Sequence, residues 1–144
     1  MKKKSQIKII QPEFDTTTDI PLSDTGVSAG FPSPAEDHTE ETLDLNKYLV
    51  RHPSATFYVR VQGESMKDDC INDGDLLVVD RSVKPYNGCV AVCFLNGEFT
   101  LKRLLVEKDT ITLMPANKRY KPIVLHKGDE LTVWGIVTYC IQKI

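Results

Sequence analysis

The stretch GCVAVCFLNGEFTLKRLLV, residues 88–106, decides the fold class. Two apolar runs flank Asn96-Gly97. A two-residue type I′ turn needs positive φ at both of its central positions, and Asn-Gly meets that need at least cost. The stretch therefore reads as a β-hairpin, with strands over Gly88–Leu95 and Glu98–Val106.

Working outward, the same reading gives strands over Thr56–Val61, Asp75–Asp80, Thr110–Met114, Pro122–Leu125 and Leu131–Ile141. Asp73-Gly74 and Lys127-Gly128 are further turns. Many short strands and few helices predict a mostly β chain, a curled and largely antiparallel β domain with a short helical N-terminal flank. In that flank, Ser33-Pro34-Ala35-Glu36 has the form of a capping box with proline at the first helical position, which predicts a helix to about Leu43. A second short helix is expected with Asp44 as its cap, running through Leu49 and closed off by His52-Pro53. Residues 1–32 carry little periodicity, hold Pro12, Pro21 and Pro32, and balance four lysines against four acids, so they read as an extended or mobile, flexible arm.

The bulk numbers narrow the function. With 144 residues and 41% hydrophobic content the chain supports one core. A net charge of −2 argues against electrostatic capture of nucleic acid, and no helix-turn-helix pattern precedes the β region. Cys70, Cys89, Cys93 and Cys140 form no C-x-x-C, and His38, His52 and His126 are scattered, so no metal-ligand spacing exists and free, buried thiols are expected. The basic start lacks an export-length apolar core, and no apolar run approaches the ~20 residues of a spanning helix. A cytoplasmic chain with no cofactor is the expectation.

One break in the β pattern carries chemistry. Val59 and Val61 alternate with Arg60 and Gln62, and then Gly63-Glu64-Ser65-Met66 interrupts the strand with a serine at the break. A nucleophilic serine needs a base, and none of the three histidines stands in a triad-like setting. A lysine serves only if its pKa, ordinarily ~10.4, is brought down by burial. Lys102 lies in the apolar strand Phe99-Thr100-Leu101-Lys102-Arg103-Leu104-Leu105. Alternation alone does not choose between Lys102 and Arg103, although arginine stays charged and is no base. On spacing alone, a lysine reaching to solvent is the preferred reading of Lys102.

Three blocks together resemble the self-cleaving Ser–Lys peptidases related to the LexA repressor: Gly63–Met66, Asp73-Gly74-Asp75-Leu76-Leu77-Val78-Val79-Asp80, and Gly97-Glu98-Phe99-Thr100-Leu101-Lys102-Arg103. The resemblance runs from about Ser28 to the C-terminus. It implies Ser65 as nucleophile, Lys102 as general base, and backbone N–H groups near Ser65, those of Glu64 and Ser65, as oxyanion donors. The family is cut between a small residue and glycine, which here matches Ala29–Gly30 in Val27-Ser28-Ala29-Gly30-Phe31-Pro32. The implied organisation is an arm, 1–32, that loses 1–29, and a peptidase domain, 33–144. The resemblance further implies a homodimer, cleavage promoted by RecA filaments on single-stranded DNA, and a Y-family DNA polymerase catalytic subunit as partner of the shortened chain. The competing expectations are a β-domain that only binds proteins, a leader peptidase acting on other chains, and a phage-type regulator. Met66 reads as packing, Gly63 as shaping the turn, and Cys89, Cys93 and Cys140 as strand interior.

Overall fold

In the computed structural model, residues 7–14, 17–23, 29–30, 40–108, 110–119, 121–125 and 131–144 are described. The capping box at Ser33–Glu36, His38, His126 and the Lys127-Gly128 turn lie outside them. The elements in chain order are β1 (Ile7–Ile10), β2 (Ile20–Ser23), β3 (Glu40–Leu43), α1 (Leu45–Leu49), β4 (Thr56–Val61), β5 (Leu76–Asp80), β6 (Val90–Leu95), β7 (Glu98–Glu107), β8 (Thr110–Met114), β9 (Ile123–Val124) and β10 (Leu131–Ile141). Packing divides the chain into two units, one of Met1–Pro12 with His52–Ile144 and one of Glu13–Arg51. No helix among the described residues is long and apolar enough to cross a membrane.

The larger unit holds an eight-stranded sheet in the order β1-β4-β5-β10-β6-β7-β8-β9, every neighbouring pair antiparallel. The sheet curls: β1 approaches β7, although four strands separate them in the order. The expected hairpin is present. Leu95 pairs with Glu98 across Asn96 (φ 47°) and Gly97 (φ 85°), the positive pair that a type I′ turn requires.

Both faces of the sheet are covered, which explains the unbroken apolar run of β6. Val92 joins one cluster with Val59, Val61, Met66, Ile71, Leu77, Val79 and Leu101. Its neighbours Ala91 and Cys93 join the other, with Cys89, Leu104, Leu113 and Ile136. Strand β10 is the axis of the sheet, pairing with β6 through its first half and β5 through its second. Its register shifts between Val133 and Gly135 on one side and between Val137 and Tyr139 on the other. Gly135 is obligatory there, since a Cβ would fall 2.6 Å from the Val79 Cγ1. Trp134, at the first shift, stacks edge-on with Phe99 and lies under the Arg81 guanidinium, 4.7 Å from its centroid. It packs against the first apolar cluster.

The His52-Pro53 boundary also has a structural task. Thr56 Oγ1 donates to the His52 carbonyl, and His52 Nδ1 lies 2.6 Å from Asp80 Oδ2. The other Asp80 oxygen accepts from the Ser82 N–H and Oγ. Burial works to raise the Asp80 pKa, but the hydrogen bonds from His52 and Ser82 outweigh it and hold the carboxyl below its ordinary value. The carboxylate ties the entrance of β4 to the turn after β5.

In the smaller unit, Asp44 caps α1 as expected, its carboxylate accepting the Asn46 N–H at 3.0 Å. The other expectation there fails at its C-terminal end. Glu40–Leu43 is not the tail of a helix but a strand, paired Ile20↔Leu43 to Ser23↔Glu40 with β2. Thr42 suits a strand better than a helix, and Pro21 is tolerated because a two-stranded sheet consists only of edges. Two described stretches of the expected arm, β1 and β2, are strands.

Candidate active site

Gly63, two residues past the end of β4, has φ 101°, a conformation that side chains disfavour, and its N–H is held by Asp73 Oδ1 at 2.8 Å. The chain then turns through Glu64 and Ser65 into a 3-10 turn at Lys67–Asp69. Ser65 is buried at 4% exposure, and Met66 beside it at 1% anchors the turn in the first apolar cluster, with Leu101 among its members. A hydroxyl taken out of water at a strand break is not an ordinary turn serine.

The turn is fastened from three directions. Asn117 Nδ2 donates to the Glu64 carbonyl at 2.6 Å, and the Lys67 N–H donates to the same oxygen at 3.2 Å. The Asp68 N–H donates to the Ala116 carbonyl. Arg103 of β7 grips Asp69, with Nε at 3.0 Å and Nη2 at 2.9 Å from the same carboxylate oxygen, and its Nη1 donates to the Gly88 carbonyl. With the Glu64 carbonyl held by two donors in a trans peptide, the Ser65 N–H is fixed pointing the opposite way.

Lys102 lies in the middle of β7, opposite Ala91, and is buried at 7% exposure. Burial strips water from its ammonium group and lowers its pKa, while the Cys93 thiol nearby works in the other direction. Cys93 itself is pushed up to about 12, by burial first and then by Cys89, so it carries no charge at neutral pH. The two neighbours differ in setting: Arg103 is half-buried and bound to Asp69, and Lys102 is buried in the sheet. The residues on either side of Lys102, Leu101 and Arg103, both meet the serine turn, one through the cluster around Met66 and one through Asp69.

Ala29 and Gly30 belong to the smaller unit and form an exposed bend. No described atom lies within 4 Å of where a Gly30 Cβ would stand. The thiols divide unequally. All four cysteines are free, Cys89 and Cys93 buried as expected, but Cys70 and Cys140 exposed. Cys140 is near the end of β10, where one edge of the strand has run past its neighbour, and it donates to Asp75 Oδ2 at 3.5 Å. Sequence reasoning missed Asn117 and the Asp69–Arg103 pair. A buried asparagine just after a strand, in Pro115-Ala116-Asn117, is the only local sign of the first. Nothing local signals a pair spanning 34 positions.

Comparison with known proteins gives this geometry a family. The chain is 44% identical to protein SamA of Salmonella typhimurium over 136 residues, covering 94% of each. It is 45% identical to protein MucA of Escherichia coli over 123 residues, covering 85% of this chain and 84% of that one. It is 35% identical to the LexA repressor of Hahella chejuensis over a 153-residue alignment, covering 99% of this chain and 76% of the repressor. Residues 21–138 match the family described as Peptidase S24-like, and with most of its length inside that match the chain belongs to the S24 peptidase family.

Proposed function

We propose that the chain is a UmuD-like self-cleaving serine peptidase in which Ser65 and Lys102 form the catalytic pair and Ala29–Gly30 is the bond cut. The carrying observation is that Ser65 and Lys102, the two residues the family motif singles out, are both buried, the lysine with its pKa lowered. The neutral Lys102 amine takes the Ser65 proton as Oγ attacks the Ala29 carbonyl carbon. The negative charge that develops on the carbonyl oxygen is met by backbone N–H groups of the turn, including that of Ser65, each such donor worth on the order of 3 kcal/mol. Lys102 then passes the proton to the Gly30 nitrogen, the Ala29–Gly30 bond breaks, and Ala29 is left as an ester on Ser65. Water, deprotonated by the same amine, hydrolyses the ester and regenerates the hydroxyl. The products are 1–29 and 30–144, so the arm leaves and the remainder becomes the working form.

Family membership and the SamA and MucA similarity support a role in the response to DNA damage. In that role the chain acts in the cytoplasm as a homodimer. A RecA filament on single-stranded DNA promotes cutting by favouring the state with the arm docked and Lys102 neutral, and the shortened dimer serves a Y-family DNA polymerase subunit that copies past lesions. The mass spectrum of purified chain after incubation at raised pH tests the reaction. Fragments ending at Ala29 and beginning at Gly30 are expected, and none from Ser65→Ala, at least about 10³-fold slower. A cut elsewhere, or an unchanged rate in Ser65→Ala, would refute the assignment.

A further inference from the structure

Strand β1 is the outermost strand on the β4 side of the large sheet, pairing Ile7↔Val61, Lys8↔Arg60, Ile9↔Val59 and Ile10↔Tyr58. Backbone alternation says which groups it covers. The Val61 N–H donates to the Asp75 carbonyl and the Val61 carbonyl accepts from Gly74, so Val61 and Val59 address β5. The intervening residues Tyr58 and Arg60 turn their N–H and carbonyl groups toward β1.

Two features make this edge an exchangeable one. Strand β1 lies within the segment that cleavage at Ala29–Gly30 severs, so cutting removes the tether that keeps its local concentration high. Lys8 also stands directly opposite Arg60, and like charges across a strand pair oppose it. A strand with a carboxylate at that position turns the repulsion into attraction. On either side of it, apolar residues would stand opposite Val59 and Val61, both members of the first cluster. An uncovered edge of this kind is a template for another strand.

We infer that the β4 edge is a strand-addition site, held by the arm in the intact chain and taken after cleavage by an extended segment of a protein partner that carries an acidic residue between two apolar ones. The inference rests on the arm cleavage proposed above, and its test is arranged not to depend on the Ser65 chemistry. Ser65→Ala chain carrying an inserted site for an unrelated protease beside Gly30 is cut by that added enzyme and diluted. Amide exchange is then followed by NMR. Tyr58 and Arg60 are expected to exchange roughly tenfold or more faster once the arm is cut, with Val59 and Val61 unchanged. Lys8→Pro in the uncut chain, which deletes the donor facing Arg60, is expected to expose the same two amides. A synthetic peptide of residues 5–13 bearing Lys8→Glu is expected to restore protection at a concentration at least about threefold below that of the Lys8 peptide. Equal exchange before and after cutting would overturn the inference. So would weaker binding by the Lys8→Glu peptide, or protection after cutting that grows with protein concentration, which would assign the edge to a second copy.

Discussion

The serine turn and the Ala29–Gly30 bend are built to opposite specifications. Ser65 is buried, its turn pinned by Gly63 at φ 101°, by Asn117 on the Glu64 carbonyl and by Arg103 on Asp69. Ala29 and Gly30 are exposed, with space around Gly30 for a larger residue. The difference teaches where specificity resides. The proposed reaction between two parts of one chain needs a nucleophile that does not relax when the substrate is absent, and a substrate segment exposed enough to dock.

The comparison breaks most readily at the substrate. A Cβ at Gly30 meets no described atom within 4 Å and the position is exposed, so Gly30→Glu is expected to fold as before. Its self-cleavage is expected to fall by roughly 10²-fold, the scale of a misplaced reacting group. Intact-mass kinetics together with a melting curve check both halves, and a wild-type rate would show that bulk at this position never enters the site.

At the opposite pole, Asn117→Ala removes one of the two donors on the Glu64 carbonyl. A loss of roughly tenfold in rate is expected, one hydrogen bond's worth of alignment. Asn117 is a positioning residue, so the pH dependence of the remaining activity should keep the wild-type midpoint. A displaced midpoint would instead make it part of the proton-transfer machinery.

The smallest effect sharpens the account of burial. The folded pKa of Lys102 lies below that of the unfolded chain, whose lysines titrate near ~10.4. Between those two values the unfolded chain holds more protons, so this group makes stability rise with pH across that interval. Lys102→Met is therefore expected to be more stable than wild type at neutral pH, by an amount that shrinks as pH climbs toward that of ordinary lysine. Denaturant melts at several pH values measure it, and a gain that grew with pH would mean the lysine is not desolvated.

How much the chain reveals in advance follows the same division. The β half was legible because its signals are local: the Asn96-Gly97 turn, the alternation of Thr56–Val61, and the glycine that ends it. The stretch before residue 44 was not, because the capping box Ser33–Glu36 favoured helix while the pairing that makes Glu40–Leu43 a strand comes from Ile20–Ser23, some twenty positions away. Ile7–Ile10 likewise becomes a strand only through Tyr58–Val61. In the site, Ser65 stood out as a serine at a broken strand. Lys102 and Arg103 were indistinguishable by alternation until Asp69, brought alongside by the fold, claimed the arginine.

The most direct test is the pH–rate profile of self-cleavage, wild type beside Lys102→Ala, followed by intact mass from neutral to strongly alkaline pH. With a desolvated amine as the base, the wild-type rate climbs about tenfold per pH unit and levels off below the range where an ordinary lysine titrates. Lys102→Ala stays uncut throughout. Cleavage of Lys102→Ala at a comparable rate with the same profile would contradict the account.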